Sequence, residues 1–245
     1  MHRSSNSPPV HRASLLRVSD TMAGMYVPLK TLVRGAFSGK TIGRVVFNEA
    51  LARHARHLTG RVLDIAGGRS PSYLKYLPAS IDLVRSDITG SSDVVALDMN
   101  DRLPFKDASF DAVLLCNALY AAEDPERLAR DIVRVLKPGG TWLLASPFIA
   151  NEMREPHDYL RFTAEGLERL CLRAGFSDIS IERLGDRASA ATQLMHPFFL
   201  FNVVRAIVYP IAMWFDTLIP ERVRGTHPAP LSYLVRATKS AKTSV

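Results

Sequence analysis

From residue 61 to residue 237 the sequence alternates short apolar runs with segments of helical spacing. Two of the runs, VLL at 113–115 and WLL at 142–144, are apolar without interruption, as expected for strands buried on both faces of a sheet. Alternating strands and helices predict parallel strands joined by crossover helices. We therefore predict an α/β fold with a doubly wound, mostly parallel sheet. The predicted strands are residues 61–65, 82–86, 93–97, 110–116, 141–146, 179–184 and 231–237.

Capping residues set the limits of the predicted helices. Asp124 is a typical N-cap followed by proline, and its helix is predicted to end at KPGG, residues 137–140. A second helix runs from Thr163 to Gly175. We expect a single domain with five parts: a flexible basic arm at 1–25, N-terminal helices at 26–60, the core sheet at 61–187, an apolar helical insertion at 188–228, and the last strand and tail at 229–245.

The net charge and the cysteine content indicate which partners and which cellular location the protein can have. The net charge of +7 favours an anionic partner, either a phosphorylated substrate or an anionic membrane surface. No zinc spacing or recognition-helix pattern is present, so we expect no nucleic-acid partner. Cys116 and Cys171 lie in apolar runs and are predicted to be reduced, buried thiols of a cytoplasmic protein. The stretch GAFSGKT at 35–41 has one residue too few between its glycines for a phosphate-binding loop.

The first predicted strand ends in an acid and two adjacent glycines, within RVLDIAGGRS. Glycine has no Cβ, so the backbone there can approach a ligand closely. The G-x-G-x-x-G fingerprint of dinucleotide-binding turns is absent, and Asp64 closes the strand instead. S-adenosylmethionine (SAM) carries a sulfonium and an ammonium group and no phosphate. A carboxylate at this turn therefore suits SAM, although Asp64 as a simple helix cap is the alternative.

Two more acids follow the next two predicted strands. Asp87 ends the second strand, where an acid can bind ribose hydroxyls. Asp98 follows the third strand, where it can accept a hydrogen bond from an adenine amino group while Met99 packs on the ring. The alternative is that both acids are solvated loop residues.

These features resemble the class I SAM-dependent methyltransferases, in particular the type 11 methyltransferase domain family. The turn of that family is hydrophobic-Leu-Asp-x-Gly-x-Gly-x-Gly, and VLDIAGGRS keeps Asp64 and Gly68 but has Ala66 and Ser70 in place of the outer glycines. The run from residue 103 to residue 140, which contains FDAV and LKPGG, also resembles the family. Ala66 and Ser70 are expected to fit the turn with negative φ angles.

The resemblance implies a seven-stranded Rossmann-like sheet and SAM as the cofactor, with no metal. In the family, the residue at the position of Asn117 faces the methionine end of the cofactor, although a turn-forming asparagine is the alternative. The implied cofactor-binding residues are Asp64, Ala66, Gly67, Gly68, Asp87, Asp98, Met99 and Asn117.

A second segment, PHDYLRFT, resembles a run found in a bacterial subset of these enzymes. It follows the fifth predicted strand, where loops line the ligand crevice of such sheets. His157 and Asp158 are the candidate catalytic residues, because a histidine can take a proton at neutral pH. The candidate substrate-binding residues are Tyr120, Tyr159 and Arg161. The alternative is that His157 and Asp158 pin the loop and that Arg161 pairs with an acid.

Residues 193–220 are dense in Phe, Ile, Val and Trp and interrupt the alternating pattern. Three interpretations remain open: a buried helical cap, an interfacial helix pair that reaches a lipid substrate, and a membrane span. Pro197, Arg205, Pro210 and Asp216 argue against the span. Trp214 and the neighbouring arginines suit a membrane interface.

The sequence as a whole predicts a SAM-dependent methyltransferase that acts on an oxygen or carbon of a small lipidic or amphiphilic acceptor. We expect a cytoplasmic protein at the membrane periphery, and the sequence does not predict an oligomeric state. Two alternatives are a methyltransferase of a soluble metabolite, with the insertion as a lid, and a non-catalytic SAM-binding scaffold protein.

Overall fold

The computed structural model describes residues 17–19, 26–154 and 157–241, and is built on one eight-stranded sheet. The strands are β1 (Arg17–Ser19), β2 (Arg61–Ile65), β3 (Asp82–Asp87), β4 (Val95–Ala96), β5 (Phe110–Cys116), β6 (Leu136–Pro147), β7 (Phe176–Leu184) and β8 (Ser232–Lys239). The helices are α1 (Leu29–Phe37), α2 (Ile42–Ala55), α3 (Pro125–Val135), α4 (Ala164–Ala174), α5 (Arg187–Leu194), α6 (Asn202–Thr217) and α7 (Glu221–Thr226).

The order of the strands confirms the predicted doubly wound, Rossmann-like sheet. It runs β1-β7-β8-β6-β5-β2-β3-β4, and only β8 is antiparallel to its neighbours. The chain order reverses direction beside β2, so the carboxyl ends of β2 and β5 border a crevice in which such sheets bind ligands. All seven predicted strands are present, although the third is reduced to two residues.

Two segments differ from the sequence-based expectation. Within the predicted arm, Arg17–Ser19 form an eighth strand parallel to β7, and the remaining residues of 1–25 lie outside the described part of the chain. The KPGG sequence at 137–140, predicted to end a helix, belongs to β6. Helix α3 stops earlier, at Val135, because Leu136 already pairs with Phe110 of β5.

Each face of the sheet is covered by its own set of helices. On one face, α3 and α4 pack through residues such as Leu128, Ile132 and Leu167 against Trp142. On the other face, α2 packs through Phe47 and α6 through Tyr209 and Met213. Both cysteines are buried and free.

The apolar insertion is helical, as predicted, and α6 is its longest element. A buried stripe of α6 (Tyr209, Ala212, Met213 and Asp216) faces the rest of the protein. The carboxylate of Asp216 accepts hydrogen bonds from the backbone N–H groups of Asp186, Ala188 and Ser189, which caps α5 and attaches α6 to it. Among the described residues, no helix is long and apolar enough to cross a membrane.

Candidate cofactor and acceptor site

Asp64 is held in the interior of the sheet at the end of β2. It is 0% exposed, and both of its carboxylate oxygens lie 2.9 Å from the hydroxyl of Tyr73, which donates to them. Burial raises the pKa of Asp64 to about 7, against the lowering effect of the Tyr73 hydrogen bond and of the Arg85 charge. The carboxyl therefore lies beneath the turn, against Gly67 and Tyr73.

The two glycines of the turn are each required by the local geometry. A Cβ on Gly67 would lie 2.1 Å from Oδ2 of Asp64, so only glycine fits over the buried carboxylate. Gly68 has a φ of +69°, in the left-handed region that glycine adopts at no steric cost. The Gly67 N–H donates to the carbonyl of Ser86 at 3.0 Å, which joins the turn to β3.

Ala66 corrects the expectation of a negative φ at this position. Its φ is +56°, which a residue with a Cβ adopts at a cost of about 1–2 kcal/mol. Ser70, at the position of the other missing glycine, is not among the described residues with positive φ. The substitution of one family glycine is thus strained and the other is not.

Asp87 is the last residue of β3, and Asp98 lies in the loop that follows β4. The Asp87 carboxylate accepts from the N–H of Ile88 at 2.6 Å, and a Cβ on Gly68 would lie only 3.2 Å from its other oxygen. Asp98 accepts from the N–H of Asn100 at 2.8 Å. The Leu97 N–H donates to the Asp87 carbonyl at 2.8 Å, which keeps these two segments adjacent. Met99 is nearly buried, with its side chain in the apolar core beside these segments.

A cleft of about 580 Å³ lies between the turn and the connection from α1 to α2. Its lining residues are Gly39, Lys40, Thr41, Arg44, Ala66, Gly67, Ser70, Pro71, Ser72, Tyr73, Cys116 and Asn117. This volume is within the usual range for small-molecule sites. Asn117 follows β5 with a φ of +56° and donates its N–H to the Ala145 carbonyl at 2.9 Å.

Of the lining residues, sequence reasoning predicted only Ala66, Gly67 and Asn117 to bind the cofactor; among those it missed are Lys40, Thr41, Arg44 and Tyr73. Lys40 and Thr41 belong to the GKT of residues 35–41, which we rejected as a phosphate-binding loop and which instead forms the rim of this cleft. Tyr73 had no signal of its own, because its role depends on its contact with Asp64.

A smaller second cleft, of about 140 Å³, adjoins the first. Its lining residues are Thr41, Gly43, Arg44, Phe47, Asn117, Pro147, Ile149, Ala150, Met153, Gln193, Leu231 and Ser232. Thr41, Arg44 and Asn117 line both clefts, so the two spaces meet at these residues. Apart from Arg44, the described residues that line the second cleft are uncharged.

A hydrogen bond of Tyr209 connects α6 to the rim of the first cleft. The Tyr209 hydroxyl donates to the carbonyl of Lys40 at 3.0 Å and lies 3.0 Å from Nδ1 of His196. Burial lowers the pKa of His196, with a further contribution from the Arg205 charge, which favours the neutral ring. These contacts agree with a structural role for His196.

The structure places the candidate catalytic residues on the loop that borders the second cleft. His157 is exposed, and its ring stacks on that of Tyr159 with centroids 5.2 Å apart. Asp158 forms an ion pair with both terminal nitrogens of Arg161 and accepts from the N–H of Met153 at 2.8 Å. This guanidinium lowers the pKa of Asp158.

These contacts are the ones expected for the structural alternative at Asp158 and Arg161, because both side chains hold the loop together. Arg161 also covers the ring of Tyr120 at 5.6 Å, and the hydroxyl of Tyr159 lies 3.3 Å from Glu123. The candidate catalytic and substrate-binding residues do not line either of the two clefts. They are Tyr120, His157, Asp158, Tyr159 and Arg161.

Comparison with known proteins gives a consistent picture. Residues 50–144 match the family model described as a methyltransferase domain. The demethylmenaquinone methyltransferase of Renibacterium salmoninarum is 34% identical over 96 residues, which cover 35% of this chain and 40% of the relative. A phthiotriol/phenolphthiotriol dimycocerosates methyltransferase of Mycobacterium ulcerans is 33% identical over 42% of this chain and 33% of the relative. The chain thus spans less than half the length of these curated relatives.

The fold also has solved counterparts. A SAM-dependent methyltransferase from Archaeoglobus fulgidus superposes with a TM-score of 0.55 at 17% identity, covering 84% of this chain and 98% of the other. At that identity the likeness concerns the fold. Residues 50–144, which include the acid-bearing glycine turn, are thus similar to a methyltransferase domain.

Proposed function

We propose that this protein transfers a methyl group from SAM to an oxygen or carbon of a small lipophilic acceptor at a membrane surface. The observation that carries the proposal is the first cleft, in which Ala66 and Gly67 of the glycine turn meet Asn117 at the carboxyl ends of β2 and β5. The relatives that match this chain bear the names of quinone and lipid methyltransferases.

The residues of the first cleft fit the chemical groups of SAM, which supplies an activated methyl group on a sulfonium sulfur. The turn at 66–68 offers backbone atoms without an intervening Cβ at Gly67, and the Asp64 carboxyl supports the turn from beneath. Asp87 and Asp98 do not line this cleft, and they are proposed to bind the ribose and the adenine beside it. Lys40 lines the same cleft and is proposed to hold the carboxylate of the cofactor.

The chain contributes mainly alignment to this reaction. Displacement at a methyl carbon needs the acceptor atom in line with the bond that breaks, and positioning alone accounts for much of the acceleration in such reactions. The second cleft meets the first at Thr41, Arg44 and Asn117, and we propose that it holds the acceptor. Asp158 and Arg161 are proposed to act as positioning residues for the loop above it, while His157 stays a candidate base.

The proposal of a membrane surface rests on the outward face of α6. Apolar side chains recur along it at helical spacing and are exposed: Val203, Val204, Ile207, Ile211, Trp214, Phe215 and Leu218. Phe198, Leu200 and Phe201 extend this face before the helix begins. A contiguous apolar surface of this kind with arginines nearby is typical of helices that lie in a membrane interface. The buried free cysteines agree with a cytoplasmic location.

The cofactor site is tested by calorimetric titration with S-adenosylhomocysteine, the demethylated product of SAM. Wild-type protein is expected to bind it with a micromolar dissociation constant, and Asp87→Ala is expected to lose at least tenfold in affinity. Asp93→Ala, which removes an exposed acid from the loop before β4, serves as the control. Absence of binding to the wild type would instead support the alternative of a scaffold protein whose site has decayed.

The membrane surface is tested by flotation with vesicles. The wild type is expected to float with vesicles that contain anionic lipids and to float less with purely zwitterionic ones, because the chain carries a net charge of +7. A protein that stays at the bottom of the gradient in both cases would favour the alternative of a soluble-metabolite methyltransferase. In that alternative the insertion is a lid.

A further inference from the structure

Arg44 is the one charged residue among the described lining of the second cleft. It lies in the first turn of α2, and its backbone N–H donates to the hydroxyl of Thr41. The side chain is exposed, and its guanidinium carbon lies 5.9 Å from the centroid of the Phe47 ring. No carboxylate in the described part of the chain pairs with it.

Arg44 also lines the first cleft, together with Cys116, the last residue of β5. Asn117 follows Cys116 directly and lines both clefts. The positive charge is therefore near the place where the proposed cofactor and acceptor sites meet.

The other described residues that line the second cleft are uncharged, and Phe47, Pro147, Ile149, Met153 and Leu231 among them are apolar. A molecule that fits this cleft is therefore uncharged over most of its surface, while the atom that approaches Arg44 gains most if it carries negative charge. A cation close to an ionisable hydroxyl in such a setting lowers the pKa of the hydroxyl.

Resting on the proposed function, we propose that the acceptor reacts as an oxyanion, namely a phenolate or enolate of a small ring-bearing molecule, held by Arg44. The acceptor loses its proton to water before transfer. Its electron pair, on oxygen or on the conjugated carbon, then forms the bond to the methyl carbon. The methyl–sulfur bond breaks with its electron pair left on sulfur, which becomes a neutral thioether.

Two cations line the first cleft, and the proposal assigns them different partners. SAM has a single carboxylate, and Lys40 lines the first cleft and not the second. Arg44 lines both, which leaves it for the acceptor. A rival assignment, in which Arg44 binds the carboxylate of the cofactor, makes a different prediction about ligand affinity and is separated from ours by the experiment.

The first measurement uses 4-nitrophenol, whose ionised form is coloured, with protein saturated with S-adenosylhomocysteine. In the wild type the pKa of the bound phenol is expected to fall by about one unit, because the guanidinium stabilises the phenolate. Arg44→Met is expected to abolish this shift, and Arg44→Lys to retain part of it. Arg56→Met removes an exposed arginine at the other end of α2 and should leave the shift unchanged.

The second measurement compares the binding of S-adenosylhomocysteine with that of 5′-methylthioadenosine, which lacks the amino-acid part. Under our proposal Arg44→Met binds both as the wild type does, which also shows that the variant folds. Weaker binding of S-adenosylhomocysteine alone, with the phenol titration unchanged, would assign Arg44 to the cofactor and overturn the proposal. A wild type that shifts no phenol pKa would overturn it as well. Failure of the proposed function would appear separately, as no binding of S-adenosylhomocysteine to the wild type.

Discussion

Helix α3 packs on β6 and helix α6 packs on α1 and α5, and the outward faces of the two helices have opposite chemistry. The inward face of α3 carries Ile132 at 0% exposure, and its outward face carries Arg130, paired with Glu126. The inward face of α6 carries Tyr209, also at 0%, but its outward face carries Ile207 and other exposed apolar residues. Burial on folding explains the apolar residues on the inward face of each helix. It does not explain the exposed apolar residues on the outward face of α6, which suit contact with a surface outside the protein.

The inward face of α3 and the outward face of α6 should differ most in how much their side chains contribute to stability. Ile132→Ala in α3 is expected to lower the free energy of unfolding by about 2–5 kcal/mol, because it leaves a cavity in a fully buried site. Ile207→Ala in α6, where the side chain is 57% exposed, should change it by less than about 0.5 kcal/mol. Urea unfolding of both variants measures the difference. Similar losses would mean that the outward face of α6 is packed in solution.

The inward attachment of α6 should be as strong as that of α3. Asp216→Ala leaves the N–H groups of Ala188 and Ser189 in α5 without an acceptor and is expected to cost about 2–3 kcal/mol of unfolding free energy. Asp131→Ala in α3 is the counterpart, since that carboxylate accepts from the N–H of Leu103 and pairs with Arg134. Urea unfolding of the two variants compares them, and a neutral Asp216→Ala would show that α6 is only loosely attached.

The outward face of α6 should matter for vesicle binding and not for folding. Replacing Ile207, Ile211 and Trp214 together by Gln is expected to weaken binding to anionic vesicles at least tenfold, since each loses the gain from burying an apolar side chain. Leu172→Gln in α4, an exposed leucine away from this face, is the control. Vesicle sedimentation at several lipid concentrations gives the affinities. Equal binding by the triple variant would contradict a role for this face in membranes.

The smallest expected effect tests whether the cofactor turn and the face of α6 are independent. Ala66→Gly should raise the free energy of unfolding by about 1 kcal/mol, because glycine adopts the left-handed φ without strain. Ala108→Gly relieves a similar φ of +51° in the loop before β5 and should stabilise equally. Only Ala66→Gly is expected to change the affinity for S-adenosylhomocysteine, and neither should alter vesicle binding. A change in vesicle binding would show that the glycine turn and the outward face of α6 are coupled.

The sheet could be predicted because its central strands contain continuous runs of apolar residues. Burial on both faces leaves no alternative for VLL at 113–115 or WLL at 142–144. Local sequence signals gave a wrong prediction where pairing between strands decides the structure. The Pro-Gly-Gly sequence at residues 138–140 suggests the end of a helix, but these residues lie within β6. The short strand Arg17–Ser19 has no apolar run and exists through its pairing with β7.

The candidate site was predictable on one side only. Asp64, Gly67 and Gly68 follow a strand directly, so their place is set by local sequence. The opposite wall, with Lys40 and Arg44, is brought over the turn by contacts between distant parts of the chain. One of these is the hydrogen bond from the Gly43 N–H to the side chain of Gln193, 150 residues away. The φ of Ala66 was also beyond prediction, because strain is tolerated only where the surroundings enforce it.

The hydrogen bond between Tyr209 and the carbonyl of Lys40 has a consequence for how α6 sits. A helix turns by about 100° per residue, so rolling α6 by a single residue would carry the Tyr209 hydroxyl away from its acceptor. The bond therefore fixes the roll angle of the helix. It keeps the apolar residues pointing away from the protein whether or not anything covers them. The same bond makes the mouth of the cleft and the orientation of α6 parts of one rigid frame.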